Sequence, residues 1–332
     1  MNKKRVVVMG GGTGTHTVLT GLKKYADEFS ISAIVAMTDS GGSTGRLRDE
    51  FGYLPVGDVR MALVALARET EAGDILLRQL FLHRFKTNGD FSGHNFGNLF
   101  LVALTDILGS EEKAIEAASR VLNIVGTVIP VTKTSAQLIA RYDDGSVVVG
   151  EHGIDEPRGE KNGKHIASLH IDSSVCVSES ASRALREADL IILGPGDLYT
   201  SIIANCVISG VPEVLTSAPG KLVYIANLMT KNGQTHGMTL SEHVEEIARY
   251  AGRTPDVVCV NTAPLPRELL ARYAEEGEYP LTLDVENVRA EIRTGDFLSE
   301  ERIRIPNGDV LKRSLIRHNP DKLAGQLIKL VG

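Results

Sequence analysis

Three short stretches carry residue types whose spacing suits anion binding. Gly10-Gly11-Gly12-Thr13-Gly14-Thr15 is dense in glycine, so its backbone can approach a ligand with no side chain in the way. Asp39-Ser40-Gly41-Gly42-Ser43-Thr44-Gly45-Arg46-Leu47-Arg48 joins an acid, a second glycine loop and two arginines. Gly194-Pro195-Gly196-Asp197-Leu198-Tyr199-Thr200-Ser201 sets a rigid turn ahead of three hydroxyl side chains. Free N–H groups at a helix start, together with hydroxyls, suit phosphate or sugar oxygens. Asp39 would bond a ribose hydroxyl, hold a hard cation such as magnesium, or close an Asx-turn on its own loop. Arg46 and Arg48 would pair with phosphate as forks, or be ordinary solvated arginines.

A fourth cluster, Gly93-His94-Asn95-Phe96-Gly97-Asn98, adds a histidine able to act as general acid or base. Asn95 and Asn98 can bond a base or a sugar, while a helix cap is the plainer role for such a cluster. Other chemistries lack support. The sequence has no H-x-x-x-H pair, no G-x-S-x-G, and three well separated cysteines, Cys176, Cys206 and Cys259, with no C-x-x-C.

The elements that position these residues can be read from periodicity. Arg5–Met9 is a short β-branched run, hence a buried strand, followed by a helix from Thr15 to Lys24. The spacing is not a strict G-x-G-x-x-G, because Thr15 stands at the third glycine position. Ile31–Ala36 is a second strand at βαβ distance, and 39–48 is expected as a loop. Asp58 is expected to cap a helix over Val59–Arg68. Helices follow at Ile75–Phe85, Gly97–Leu108 and, capped by Ser110, Glu111–Leu122. Thr127–Thr132, Ser135–Tyr142, Ser146–Glu151 and Ile166–Ile171 suggest an antiparallel insertion, with Asp143-Asp144-Gly145 as a hairpin turn and 156–164 as a loop. Alternation then resumes. Ser178–Glu187 and Asp197–Ser209 read as helices, and Asp189–Leu193, Leu222–Asn227 and Val257–Asn261 as strands. Ser241–Tyr250 and Pro320–Val331, the latter capped by Asn319, read as further helices.

The expected fold is therefore α/β: a Rossmann-like, mainly parallel sheet flanked by helices, with a small antiparallel β insertion. Residues 1–125 would form the nucleotide-binding part, 126–175 the insertion and 176–332 the remainder of the α/β domain. In such sheets ligands bind beyond the carboxyl ends of the strands, so the three glycine-bearing stretches should face one crevice. The 332 residues suffice for a large core; 42% are hydrophobic and 23% charged, as in ordinary globular proteins. A net charge of −6 argues against nucleic acid as a partner. No apolar run approaches the ~18 residues of a membrane span, and no secretory signal is evident, so a cytoplasmic protein is expected.

Taken together, these stretches resemble the YvcK-type gluconeogenesis factors, a branch of the CofD-like superfamily that includes 2-phospho-L-lactate transferase. Pro55-Val56-Gly57-Asp58-Val59-Arg60 and Asn227-Leu228-Met229-Thr230 add to the likeness, which runs from residue 5 to about residue 240. The resemblance implies a nucleotide-diphosphate or UDP-sugar site, a homodimer, and a cytoplasmic role in cell shape and envelope precursor supply during gluconeogenic growth. On that basis Gly11, Gly12, Thr13, Gly14 and Thr15 would hold the diphosphate with Gly194, Pro195, Gly196, Tyr199, Thr200 and Ser201. Asp39, Ser40, Gly41, Gly42, Ser43 and Arg46 would line the second loop. His94, Asn95 and Asn98 would read sugar or base, and Asn227 and Thr230 would close the crevice. No cofactor is required for binding. The alternative is a CofD-like transferase that moves a 2-phospholactyl group to a deazaflavin, with magnesium held at Asp39, Asp58 as a second ligand, and His94 as acid or base. Ser40, where the pattern has a second acid, removes one cation ligand. Val56 and Met61 also depart, the latter replacing an asparagine.

Overall fold

Val6, Val7, Val8 and Met9 are all buried, on both faces of the strand they form, as expected of a central strand in a parallel sheet. This strand, β1 (Lys4–Gly10), is followed by α1 (Gly12–Leu22) and β2 (Phe29–Val35). The computed structural model describes residues 3–86, 88–156, 164–172, 174–300 and 315–331. Four helices and a fifth follow β2 in a run: α2 (Gly42–Phe51), α3 (Gly57–Leu66), α4 (Ala72–Leu82), α5 (Phe96–Leu108) and α6 (Glu111–Val121). The chain then returns to the sheet as β3 (Thr127–Pro130).

Next comes a separate three-stranded antiparallel sheet, made of β4 (Leu138–Tyr142), β5 (Val147–Val149) and, after a short helix α7 (Glu151–Asp155), β6 (Ile166–Ile171). Its order is β5-β4-β6. Most of the predicted 156–164 loop lies outside the described residues. Helix α8 (Glu179–Arg186) leads into β7 (Leu190–Leu193). A wide π-turn over Leu198–Ile203 runs into α9 (Ala204–Cys206) and then α10 (Val211–Ser217). The last elements are β8 (Lys221–Ile225), α11 (Leu240–Ala251), β9 (Val257–Asn261), α12 (Arg267–Glu275), β10 (Glu291–Gly295) and α13 (Pro320–Leu327).

The main sheet has seven parallel strands in the order β10-β9-β8-β7-β1-β2-β3. β1 pairs with β2 on one side and with β7 on the other, in register Val6 opposite Ile31 and Leu190. The winding direction therefore reverses beside β1, which makes the gap between β1 and β7 a topological switch point.

Several expectations are corrected. β3, expected with the antiparallel insertion, is an edge strand of the main sheet, paired with β2. Glu151 ends no strand; it begins α7. Residues 42–48, expected as loop, lie in α2, a polar helix whose only buried residues are Ser43, Thr44, Gly45 and Leu47. Its polarity hid it from any reading based on apolar periodicity. Asp58 does not cap α3: the capping position is Val56 and Asp58 lies in the first turn. Ser110 and Asn319 do cap, accepting from Lys113 N and from Asp321 and Lys322 N respectively.

Candidate ligand site

At the carboxyl end of β1 the chain turns at Gly11, and α1 begins at once with no side-chain cap. The same happens after β2, where α2 begins behind Gly41, also without a side-chain cap. These two helix starts leave backbone donors facing the same end of the sheet. The third wall is the turn after β7, which carries a cis Gly194–Pro195 peptide. A side chain on Gly14 would collide with the Pro195 carbonyl, so α1 and this turn meet backbone to backbone. Asn227, just past β8, donates from Nδ2 to the Gly196 carbonyl at 2.9 Å and fixes the turn from the other side. The three glycine-bearing stretches thus converge at the switch point.

Acids line the floor. The Gly12 N–H donates to Asp58 Oδ1 at 2.8 Å. Side chains on Gly11 or Gly57 would strike Asp58 and Asp39 respectively, so both carboxylates sit flush against backbone. Asp39 closes an Asx-turn, accepting from Gly41 N at 2.9 Å. Glu151, at the start of α7, approaches Ser40 N at 3.4 Å, while the Ser40 hydroxyl accepts from His152 N at 2.9 Å. Ser40 therefore ties the antiparallel module to the second loop, and a carboxylate stands beside it although residue 40 is not one.

Burial and mutual repulsion shift these groups. Burial, then the neighbouring Asp39 charge, raises Asp58 to about 7. Burial raises Asp39, against the Gly41 and Thr44 hydrogen bonds and the charges of Arg60 and Arg48. Glu151 is pushed well above the usual carboxylate range by burial and then by Asp39, Asp155 and Asp58.

Beyond them lies an ion cluster that sequence reasoning missed. Lys231 Nζ contacts Asp155 and lies 2.7 Å from Asp197 Oδ2. Gln234 Nε2 and Thr200 Oγ1 also donate to Asp155 Oδ1, at 3.3 and 3.4 Å. Burial disfavours ionised Asp155, but the Lys231 charge and these hydrogen bonds outweigh it and hold its pKa low. Burial lifts Asp197 to about 6, with Lys231 opposing and Asp155 adding. Lys231 is itself held protonated by the two acids, against its burial. Asp155, Asp197 and Lys231 are scattered along the chain, and only the fold unites them.

The predicted residues divide accordingly. Thr13 is exposed at the mouth of α1, and Thr15 is buried with its hydroxyl lacking a protein partner. Ser201 is half-buried behind the β7 turn. His94 Nδ1 lies 3.2 Å from Ser43 Oγ, which places it against α2. Asn95 caps α5 by accepting from Asn98 N, and Asn98 in turn accepts from Arg60 Nε at 2.8 Å and donates to Ser43 and Thr44. These asparagines bolt α5 to α2 behind the loop. Others are not brought into the crevice. Tyr199 is buried, with its hydroxyl donating to Ile166 O and Glu246. The Thr230 hydroxyl bonds the Tyr279 carbonyl at 3.1 Å. Arg46 is exposed and donates to Ser92 O at 2.8 Å.

Fold and crevice define a doubly wound α/β protein of the Rossmann-like class. Comparison with known proteins agrees over the whole chain. The family model described as 2-phospho-L-lactate transferase CofD matches residues 6–298. The gluconeogenesis factors of Halalkalibacterium halodurans and Bacillus subtilis are each 38% identical over 330 residues, 99% of this chain and 97% and 98% of theirs. The crystal structure of a upf0052 family member from Bacillus halodurans superposes with a TM-score of 0.87 at 37% identity, covering 99% of both chains. The chain belongs to the CofD family, on its YvcK-type gluconeogenesis-factor branch.

Proposed function

We propose that the protein binds a nucleotide-diphosphate sugar, of the UDP-sugar kind, and acts in the cytoplasm as a regulator of cell shape and envelope precursor supply during gluconeogenic growth. The observation that carries the binding reading is the pair of helix starts without side-chain caps, α1 and α2, at adjacent strand ends. Four helices away from the crevice are capped, by Ser110, Ser178, Thr239 and Asn319, while α10 and α12 lack a side-chain cap too, so it is the position of the α1 and α2 starts at adjacent strand ends that counts. Gly12 N is taken by Asp58, so a diphosphate would use the remaining first-turn donors of α1 and α2. Asp39 and Asp58 would accept from ribose or sugar hydroxyls. Among the described residues, no helix is long and apolar enough to cross a membrane.

One observation favours a second reading, transfer of a 2-phospholactyl group from a nucleotide-activated donor to a deazaflavin. Besides burial, Asp39 raises the pKa of Asp58, and Asp39 and Asp58 both raise that of Glu151, and such a set gains most from a cation. Magnesium takes carboxylate oxygens, so the donor chemistry of Asp39 and Asp58 fits, and the ion would neutralise phosphate charge. As they stand, both carboxylates face backbone N–H groups, and the described residues contain no group of three ligands placed to hold a metal.

Thermal shift with UDP, UDP-N-acetylglucosamine, UDP-glucose, GDP and a deazaflavin, each with and without magnesium, tests both readings. A ligand at 100 times its Kd adds about 2.7 kcal/mol. Stabilisation by UDP-sugars without magnesium supports the binding protein. A shift confined to GDP or deazaflavin with magnesium supports the transferase. No shift with any nucleotide refutes both.

A further inference from the structure

His243, on α11, is fully buried and stands outside the residues assigned to the crevice. Its Nδ1 lies 3.0 Å from the hydroxyl of Tyr224, which is buried on β8. The Tyr224 hydroxyl lies 3.3 Å from Asn227 Oδ1, and Asn227 Nδ2 donates to the Gly196 carbonyl at 2.9 Å. A single chain of hydrogen bonds thus runs from α11 through β8 to the turn after β7, the third wall of the crevice.

Every proton in this chain has a direction. A backbone carbonyl only accepts, so Asn227 must present its amide nitrogen to Gly196 and its oxygen to Tyr224. Tyr224 gives its one proton to that oxygen, and the phenolic oxygen is left to accept from His243 Nδ1–H. The far end of the chain agrees. His243 Nε2 is buried with no hydrogen-bond partner among the described residues, and a bare ring nitrogen is more readily left so than an orphaned N–H. Burial keeps the ring neutral by lowering its pKa to about 4. Both ends select the tautomer that carries its proton on Nδ1.

The last link fixes a peptide plane. The Gly196 C=O and the Asp197 N–H belong to one trans peptide unit and point in opposite directions. β8 and β1 flank β7 on its two sides. The carbonyl is held toward Asn227, on the β8 side, so the Asp197 N–H is sent toward the β1 side, where α1 packs on this same turn at Gly14. Asp197 is the N-cap position of the wide turn, so its N–H has no partner within that turn.

We propose that His243 is a positioning residue for the ligand site: through Tyr224 and Asn227 it holds the Gly196–Asp197 peptide so that the Asp197 N–H meets a phosphate oxygen of the ligand. This role rests on the nucleotide-diphosphate reading above, and adds to it one donor and the residues that aim it. Without the Tyr224 proton the Asn227 amide is free to turn over, which would set oxygen against oxygen at Gly196 and release the peptide. Without His243 Nδ1–H the Tyr224 hydroxyl loses the donor that keeps its proton directed at Asn227.

Two measurements on the full chain test it. Long-range proton–nitrogen spectra of the ligand-free protein should show His243 with Nδ1 protonated and Nε2 bare. Calorimetric titration with UDP-N-acetylglucosamine, UDP and inorganic pyrophosphate then gives the dissociation constants. Tyr224→Phe keeps the ring and should weaken binding about tenfold, the scale of one misaimed hydrogen bond to a charged group. His243→Leu should do the same, and His243→Asn, whose amide can donate where Nδ1 does, should restore the parent affinity. A merely structural role would lower Tm in these variants and leave the dissociation constants alone. Should His243→Leu fail to fold, Tyr224→Phe decides. A ring protonated on Nε2, parent-like binding by Tyr224→Phe, or His243→Asn binding as weakly as His243→Leu overturns the proposal and leaves the ligand reading standing. A parent protein that binds none of the three probes overturns both.

Discussion

The Gly12 N–H, in the first turn of α1, donates to the carboxylate of Asp58, in the first turn of α3, at 2.8 Å. One helix start is therefore neutralised by an acid from another, and that acid is raised to about 7 by burial and by Asp39. Any anion settling on α1 must contend with Asp58, and the two compete for the same backbone donor.

This relationship sets a pH dependence. Asp58 binds its proton more tightly when folded than when unfolded, so its contribution is fully present below the ordinary carboxylate range and is lost as pH rises through about 7. The ligand-free protein should lose thermal stability between pH 5 and pH 8. Asp58→Asn, which keeps an acceptor for Gly12, should flatten that slope and raise Tm at pH 8 by a few degrees, while changing little at pH 5. An unchanged slope in the variant would refute the assignment.

Lys231 should matter most for holding the antiparallel module to the β7 turn, since it touches Asp155 from one and Asp197 from the other. Removing one partner of a buried pair strands the remaining charges, at a cost of ~3–5 kcal/mol when fully buried. These side chains are 24–37% exposed, so about 2 kcal/mol is expected for Lys231→Met after allowing for solvent screening. Denaturant melts at neutral pH measure this directly. The loss should shrink in acid, where Asp155, held low by Lys231, finally protonates and no longer needs a partner.

Gly14 and Tyr199 make a contrasting pair. Gly14→Ala forces α1 off the Pro195 carbonyl, and overpacking of this kind costs about 1–3 kcal/mol. It should also abolish the stabilisation produced by whichever nucleotide shifts the parent protein. Tyr199→Phe removes a buried hydroxyl with two acceptors and should cost about 1 kcal/mol of stability while leaving the ligand shift intact. Equal loss of ligand response in both variants would place Tyr199 in the crevice after all.

Much of this architecture was legible because its signals are local. A β-branched run that stops at Gly10 can only be a short buried strand, and Ser110 and Asn319 announce the helices behind them. The same locality explains the misses. α2 spells Gly-Ser-Thr-Gly-Arg-Leu-Arg-Asp-Glu-Phe, which has too few apolar residues to show a helical period. β10 and α12 went unread for similar reasons; none of the α12 side chains is buried. Tyr199 sits in a motif that suggested ligand contact, yet the wide turn over Leu198–Ile203 directs its hydroxyl toward Ile166 and Glu246. The acidic floor was half visible. Asp39 and Asp58 flank glycines, whereas Glu151 and Asp155 join them only through the packing of α7, and no spacing rule announces such a meeting.

The position of β1 also governs how the protein is made. It leaves the ribosome before the other strands described, yet its partner β7 begins 184 residues beyond Val6, at Leu190. At 5–20 residues per second, roughly 10–40 s separate the two. Until then one edge of β1 has no strand beside it, and the crevice has only two of its three walls. A nascent chain therefore cannot hold the ligand as the finished molecule would. Competence to bind arrives late and all at once, when the second half of the sheet closes on the first.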